Sequence, residues 1–466
     1  MPGELGSTSG GFPRNVLRNL SNSKLGRVWS FPDFRLLWLG AFFSFTGSWI
    51  QNVAQSYFVY RMTGDESKLA FVAFCGSIPV FFFGFIAGSL SDILDKRKVL
   101  IVAQAALAAG AIFLSVSTYF GWVQYWHIVA VALASGFVGC IEMPTRQSIV
   151  SRVVPPEHLA AAVPMNAMTF NVARIIGPAI GGILLALFGV PICYLVNGLS
   201  FIALIWAAKA IKADLRPGPR DTTPIRYAIF EGFTYTLGDR RLRALFLLEV
   251  VTATFGLFYL PLIPPYVEQV LGLGMVKRQL ANGTFVTEDL AKHGISLAYT
   301  AIGVGAFGGL LLVAALSDSP KKGNIIRVSM AIIGAGLIAL SVVHVQWLAF
   351  GILTLVGMAV IMQLNTSNSL FQLLSPERLR GRVISMHVWA LNGLSPFGIL
   401  FFGWLARAYR GPQTVNLASL AFPLPTSGVA LAMQIGGSVV LLGALAAVLS
   451  RQGLAHLEPI PIESRL

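Results

Sequence analysis

About twelve apolar stretches of membrane-spanning length run through this chain of 466 residues, and no soluble core absorbs that many. Their approximate limits are 33–61, 69–92, 98–120, 125–148, 159–188, 191–211, 243–271, 295–317, 324–344, 346–370, 381–408 and 428–450. At 1.5 Å per residue, roughly 20 residues cross a ~30 Å hydrocarbon core, and longer helices tilt or project beyond it. The chain is 55% hydrophobic and 12% charged. Soluble domains are about a quarter charged, so this chain cannot cover its apolar surface with polar residues and takes lipid as its solvent.

The net charge of +14 would point a soluble protein toward nucleic acid. Here the basic residues sit in short loops between apolar stretches. One set of loops carries Lys96, Arg97 and Lys98; Arg146 and Arg152; Lys209, Lys212, Arg216, Arg220 and Arg226; Lys321, Lys322 and Arg327; Arg378, Arg380 and Arg382. The loops after spans three, five and nine carry almost none. By the positive-inside rule both termini are cytoplasmic, and no nucleic-acid partner is expected. The first thirty or so residues are polar, unlike a signal peptide. Cys75, Cys140 and Cys193 all lie inside apolar stretches and form neither a disulfide framework nor a zinc site. Asn282-Gly-Thr284, in the longest outer loop, matches a glycosylation pattern that chance often produces.

The chain echoes itself. Leu-Ser-Asp followed by lysines ends the second span at Leu90 and the eighth at Leu316; PPEHL at Pro155 and SPERL at Ser375 follow the fourth and tenth spans. Two echoes in the same order, about 220 residues apart, indicate duplicated halves of parallel topology. A Pro/Arg-rich linker, KADLRPGPRDTTPIR, separates them, followed by YAIFEGFTYTLGDRRLRALF, expected as an amphipathic stretch on the inner surface. The expected domains are a cytoplasmic tail 1–32, a six-helix bundle 33–211, a linker 212–242, a second six-helix bundle 243–450 and a tail 451–466.

GSLSDILDKRK, Gly88 to Lys98, resembles the signature loop of the major facilitator superfamily. Gly88, Asp92, Lys96, Arg97 and Lys98 match it; Ile93 stands in place of an arginine and Asp95 in place of a glycine. Asp318 is the corresponding aspartate of the second half. FRLLWLGAFFSFTGSWIQNVAQSYFVYRMTG, PTRQSIVSRVVPPEHLAAAVPMNAMTFNVARIIGPAIGG and SLFQLLSPERLRGRVISM are similar to the branch holding bacterial macrolide and enterobactin exporters. The resemblance implies an all-α integral membrane protein, twelve transmembrane helices in two six-helix bundles around a central cavity. It also implies that Asp92 meets the start of the eleventh helix, near Gly381 to Ser385, and latches the halves on the cytoplasmic side in the outward-open state; a helix N-terminus favours such a carboxylate. As a residue pattern alone, Asp92 with its basic loop is equally an orientation signal. ARIIGPAIGG, Ala173 to Gly182, resembles the exporters' motif of the fifth helix. Gly177-Pro178 interrupts the helical ladder, and Gly181 and Gly182 permit close helix approach, which serves packing, rocking or both.

Charges inside the spans are few. Arg174 lies roughly 20 Å from the outer end of its helix, and Glu142, Glu249 and His387 fall at similar depth. Such groups face a cavity, face one another or snorkel to the surface. We expect an Arg174–Glu142 ion pair, Glu249 and His387 near the cytoplasmic gate, and Glu142 as the proton-carrying carboxylate. In the first span Gln51 and Gln55 share a face, beside Asn52, Trp49 and Tyr57; they suit a cavity wall or an interhelical hydrogen bond. Asn365 and Asn368, with Trp389 and Asn392, are candidates for the opposite wall.

The chain has no phosphate-binding G-x-x-x-x-G-K-[ST] loop, no metal-spaced His/Cys cluster and no Ser-His-Asp set in a supporting context. An enzyme, a cofactor and ATP as fuel are not expected. The resemblance implies export by proton exchange, by a monomer in the bacterial inner membrane, of a small amphipathic compound. The alternatives are a dedicated siderophore or metabolite exporter, a lipid or lysolipid flippase, and a ligand-binding member that does not transport.

Overall fold

The computed structural model describes residues 24–216, 225–279, 285–317, 319–376, 379–409, 414–417, 420–423 and 427–449. The apolar stretches fold as α-helices: α1 (Lys24–Trp29), α2 (Pro32–Thr63), α3 (Glu66–Ile93), α4 (Lys96–Tyr119), α5 (Tyr125–Val153), α6 (Leu159–Phe188) and α7 (Val190–Ala210). The linker helix α8 (Ile225–Gly238) leads to α9 (Arg240–Phe255), α10 (Ile263–Gln269), α11 (Ala291–Ala315), α12 (Lys322–Val342), α13 (Gln346–Leu374), α14 (Arg380–Ala408) and α15 (Gly428–Leu449). Two short antiparallel hairpins join helices at the end opposite α1: β1 (Met275–Gln279) with β2 (Phe285–Asp289), and β3 (Thr414–Leu417) with β4 (Leu420–Pro423). Among the described residues, ten helices are long and apolar enough to cross a membrane. The 32-residue α2 is longer than any of them but carries Gln51, Asn52 and Gln55 along its length.

The seventh stretch is not one helix. Gly256 closes α9 by donating its N–H to the Thr252 carbonyl at 2.8 Å. The chain then leaves the helix for several residues. It restarts at Ile263-Pro264-Pro265, where prolines are tolerated because the first turn has no use for their missing N–H groups.

Helices α2–α7 pack among themselves, as do α9 and α11–α15. The main joins between these sets are α3 with α14 and α6 with α11; α2 also touches α10 and α11. The glycines of the fifth stretch explain the close seats around α6. A Cβ at position 177 would come within 2.4 Å of the Trp49 Cβ, and one at 181 within 3.0 Å of the Ile50 backbone, both on α2. A Cβ at 182 would collide with Ser296 of α11. Meanwhile α6 continues as a helix through Pro164 and Pro178.

The joining contacts run from the end opposite α1 to about mid-helix. Gly403 lies against Ala70, Phe74 against Phe397, and Phe81 against both Phe397 and Trp389. On the other side, Gly182 meets Ser296 and Gly303 meets Ile175. Beyond that level α6 exposes Val163 and Met168, and α11 is exposed on nearly every side from Leu311 to Ser317. On the α6–α11 flank the sets are thus joined at one end and parted at the end that carries α1, while α3 touches α8 at that end.

Candidate functional site

The closed end is held by polar side chains. Tyr57 Oη donates to Asp289 Oδ2 at 2.5 Å, and Arg61, one turn further along α2, donates to Asp289 Oδ1 at 2.5 Å. Arg61 also lies 3.4 Å from Glu268 of α10. Gln269 donates to Tyr60 (2.9 Å) and to Glu66, and Arg407 at the end of α14 pairs with Asp65 at 3.1 Å. Burial alone would raise the Asp289 carboxyl, but the hydrogen bonds from Tyr57 and Arg61 and the guanidinium charge outweigh it and hold the group below the usual carboxylate range. Asp65 also sits below that range despite its burial, because it caps α3 through the N–H groups of Ser67 and Lys68 and faces Arg407.

Two buried charged clusters lie deeper. In the first, Glu142 and Arg146 of α5 form an ion pair at 3.0 Å. Gln104 of α4 donates to the same Glu142 oxygen at 3.4 Å and accepts from Ser44 of α2 at 3.1 Å. The Arg146 guanidinium stands 4.4 Å over the Phe45 ring. In the second, His387 Nδ1 of α14 lies 2.7 Å from Glu249 Oε2 of α9, and Phe371 packs on the imidazole at 5.2 Å. One turn from Glu249, Thr252 accepts from Gln363 of α13 at 2.7 Å. Glu249 Oε1, Gln363 Oε1 and Ser367 Oγ are buried without a hydrogen-bond partner.

The expected Arg174–Glu142 pair is not formed. Glu142 is taken by Arg146 at the i,i+4 spacing at which helical neighbours meet. Arg174 instead places its guanidinium 5.5 Å over the Trp49 ring. Glu249 and His387, by contrast, come together, and both are buried rather than reaching for the surface. Gln51 accepts from Asn197 of α7 at 2.7 Å and donates to Gln55 at 3.4 Å, so it serves helix packing. Asn52 is exposed and Trp49 half-buried. Asn365 and Asn392 donate to the Ile361 and Val388 carbonyls of their own helices. Trp389 donates to the Phe81 carbonyl at 3.2 Å and stacks on that ring.

In the signature loop, Asp95 caps α4 by accepting from the Arg97 and Lys98 N–H groups at 3.0 and 3.2 Å, which gives a physical role to the residue standing where the pattern has glycine. Arg97 donates to the carbonyls of Lys209, Ile211 and Ala213 at the end of α7. Lys96 is buried and Lys98 exposed. Gly88 and Asp92 lie in the last turns of α3, and their side chains are outside the described set, as are Asp318, the Asn282 sequon, residues 1–23 of the first tail and the tail 451–466. The linker stretch forms α8, held on the first turn of α14 by the Glu231–Arg382 ion pair. Sequence reasoning missed the Arg61–Asp289–Glu268 cluster and Arg146; the i,i+4 spacing was the available signal for Arg146.

A family model described as "Transmembrane secretion effector" matches residues 29–436. The chain belongs to that family. It is a multi-pass membrane transporter of the major facilitator superfamily, and not an enzyme. Among similar proteins, the staphyloferrin A transporter of Staphylococcus aureus is 24% identical over 385 residues, 82% of this chain and 91% of that protein. The enterobactin exporter EntS of Salmonella typhimurium is 24% identical over 76% of this chain and 80% of its own. The multidrug efflux pump Tap of Mycolicibacterium fortuitum is 22% identical over 82% and 91%. Among solved structures, a point mutant of the nucleoside transporter NupG superposes with a TM-score of 0.66 at 12% identity, covering 90% of this chain and 100% of that one. A bacterial homologue of the lysosomal transporter Spinster gives 0.66 at 13%, covering 92% and 99%. These two share the fold of this major facilitator transporter.

Proposed function

We propose that this protein is a proton-driven exporter of amphipathic organic compounds, working by alternating access between two six-helix bundles, residues 33–211 and 243–450. The observation that carries the reading is the buried Glu249–His387 pair. A carboxylate and an imidazole in contact inside a membrane can share, hold and release one proton, and the spare Glu249 oxygen gives a second place for it.

With both termini cytoplasmic, the open end of the cleft faces the cytoplasm and the Tyr57–Arg61–Asp289–Glu268 cluster closes the outer side. Substrate enters between α6 and α11 on one flank and α3 and α14 on the other. Trp49, Asn52, Asn365, Trp389 and Asn392 line its path. Proton arrival at Glu249–His387 accompanies the return stroke, and Asp92 latches the cytoplasmic side against the first turn of α14 once the outer cluster has parted. Helix α8, tied to that turn through Arg382, flanks the latch.

The test is uptake into inside-out vesicles under an imposed pH gradient, with a panel of amphipathic dyes, drugs and a catecholate siderophore, comparing wild type with Glu249→Gln. Gradient-dependent uptake lost in the variant is expected. Uptake indifferent to the gradient would overturn proton exchange and favour a flippase. The names of two relatives favour a second reading, a dedicated siderophore exporter. Uptake of the siderophore alone from that panel is its signature.

A further inference from the structure

We propose that Arg174 is an anion subsite of the translocation cavity, where it binds a carboxylate or similar anionic group on an aromatic substrate; this rests on the exporter reading above. The position comes first. Arg174 is at the midpoint of α6, about 21 Å from either end, too far for its side chain to reach either surface. The helix is pinned there from both sides. Gly177 seats it on α2 beside Trp49, and a Cβ at Gly303 of α11 would fall 3.3 Å from the Arg174 carbonyl oxygen.

The charge balance is the second point. Only Glu142 and Glu249 lie at mid-helix depth among the acidic residues of the chain. Glu142 is paired with Arg146 on its own helix, and Glu249 with His387. Among the described residues no carboxylate reaches Arg174. Arg174 is partly exposed, and because a guanidinium in that place would be costly facing lipid, we assign that exposure to the cleft. A cation left over once the interior's carboxylates are matched is free to bind an anion that arrives and leaves.

The third point is what surrounds it. Arg174 stands on the face of Trp49; Trp49 is 6.1 Å from Phe170, and Phe170 meets Phe45 edge-on at 5.2 Å. Phe170 is 41% exposed, so this row of rings has an open side. From the other helix set, Gly303 of α11 packs on the Ile175 backbone and the Arg174 carbonyl. The site therefore touches both helix sets, as a site whose access alternates must. A planar guanidinium takes a carboxylate through two parallel N–H bonds, and the adjoining rings stack an aromatic body.

Two xanthene dyes test this: carboxyfluorescein, which carries carboxylates, and rhodamine 6G, an esterified cation of similar ring shape. Equilibrium binding to the purified full chain, read by dye anisotropy, comes before transport in proteoliposomes. Wild type is expected to bind carboxyfluorescein the more tightly. Arg174→Gln should weaken that binding by about tenfold or more while rhodamine 6G binding stays within twofold, and Arg174→Lys should fall between. Wild type that prefers rhodamine 6G, or binds neither dye, overturns the subsite. So does Arg174→Gln that keeps carboxyfluorescein, or that loses both dyes equally while eluting as a folded monodisperse protein. Selective binding of the anion without its transport would keep the subsite and sink the exporter reading instead.

Discussion

Among the described residues, the spans hold two acidic clusters built in opposite ways. Glu142 finds its cation on the same helix, at the i,i+4 position, with Gln104 added from the neighbouring one. Glu249 finds His387 on another helix and leaves one carboxylate oxygen unpartnered. An ion pair contained in one helix travels with that helix as a rigid body, whatever the two helix sets do. A pair made between α9 and α14 responds when those helices shift, and a carboxylate touching an imidazole can pass a proton to it. We therefore propose the first as a fixed unit and the second as the place where a proton is gained or lost. The sequence reading put the proton on Glu142; this difference in construction is the reason we propose Glu249 in its place.

The largest expected effect comes from breaking the fixed pair on one side only. Glu142→Gln leaves Arg146 buried and unmatched, and removing one member of a buried pair costs about 3 kcal/mol of stability. Replacing both, as Glu142→Leu with Arg146→Met, should restore most of it. Thermal unfolding of the detergent-purified protein gives both numbers. Equal losses in the single and double variants would mean that the pair is not the unit it looks like.

The second effect is smaller in stability and larger in consequence. Glu249→Gln should lower gradient-driven uptake about tenfold or more, equivalent to about 1.4 kcal/mol of driving interaction, yet leave exchange of substrate without a gradient near wild type. His387→Asn should behave alike. The Glu142/Arg146 double variant should keep its response to the gradient. If that double variant loses gradient dependence as Glu249→Gln does, the two clusters do not divide the labour in this way.

Much of this architecture was legible because hydrophobic run length is a strong and local signal. Eleven of the twelve expected stretches appear as single long helices with ends shifted by a few residues. The exception, 243–271, reads as continuous because Leu257, Phe258, Tyr259 and Leu260 are as apolar as a helix interior; the break is set by Gly256 and Pro264-Pro265, which hydropathy does not weigh. Gly181 and Gly182, read as means of close approach, each meet a neighbouring helix; Gly177, read with Pro178 as a break in the helical ladder, lies in a helix that runs on and also seats it against α2. Pairing was harder. Depth along a helix follows from counting, but which face a side chain presents depends on how helices rotate against one another. Arg174 and Glu142 share a depth and never meet, whereas Glu249 and His387 share a depth and do. Arg61 and Asp289 are separated by 228 residues, and nothing local to either of them announces the other.

The smallest expected effect concerns the closed end, a third kind of charged cluster, made between the helix sets and partly open to water. Asp289→Asn removes the carboxylate that Tyr57 and Arg61 share, leaving Arg61 with Glu268 alone. Partly exposed pairs contribute up to about 1 kcal/mol, so the closed population should fall a few-fold, read as a longer distance between spin labels at the exposed Met62 and His293. The pH dependence carries the sign. Because the Asp289 carboxyl is held below its ordinary value of 3.8, its stabilisation of the closed end is fully present above about pH 4. It is lost only as pH falls through the lowered value. Glu268 beside it is raised above its ordinary value by burial, so Glu268→Gln is added to every chain compared, and between pH 5 and 8 the distance should then be flat in a Glu249→Gln background. With Glu249 intact, a change over that range is expected only if protonation of the Glu249–His387 pair is coupled to the outer closure. A distance that changes between pH 5 and 8 in Glu249→Gln and becomes flat on adding Asp289→Asn would move the pH sensor from the membrane interior to the outer cluster, and with it the coupling role argued for Glu249.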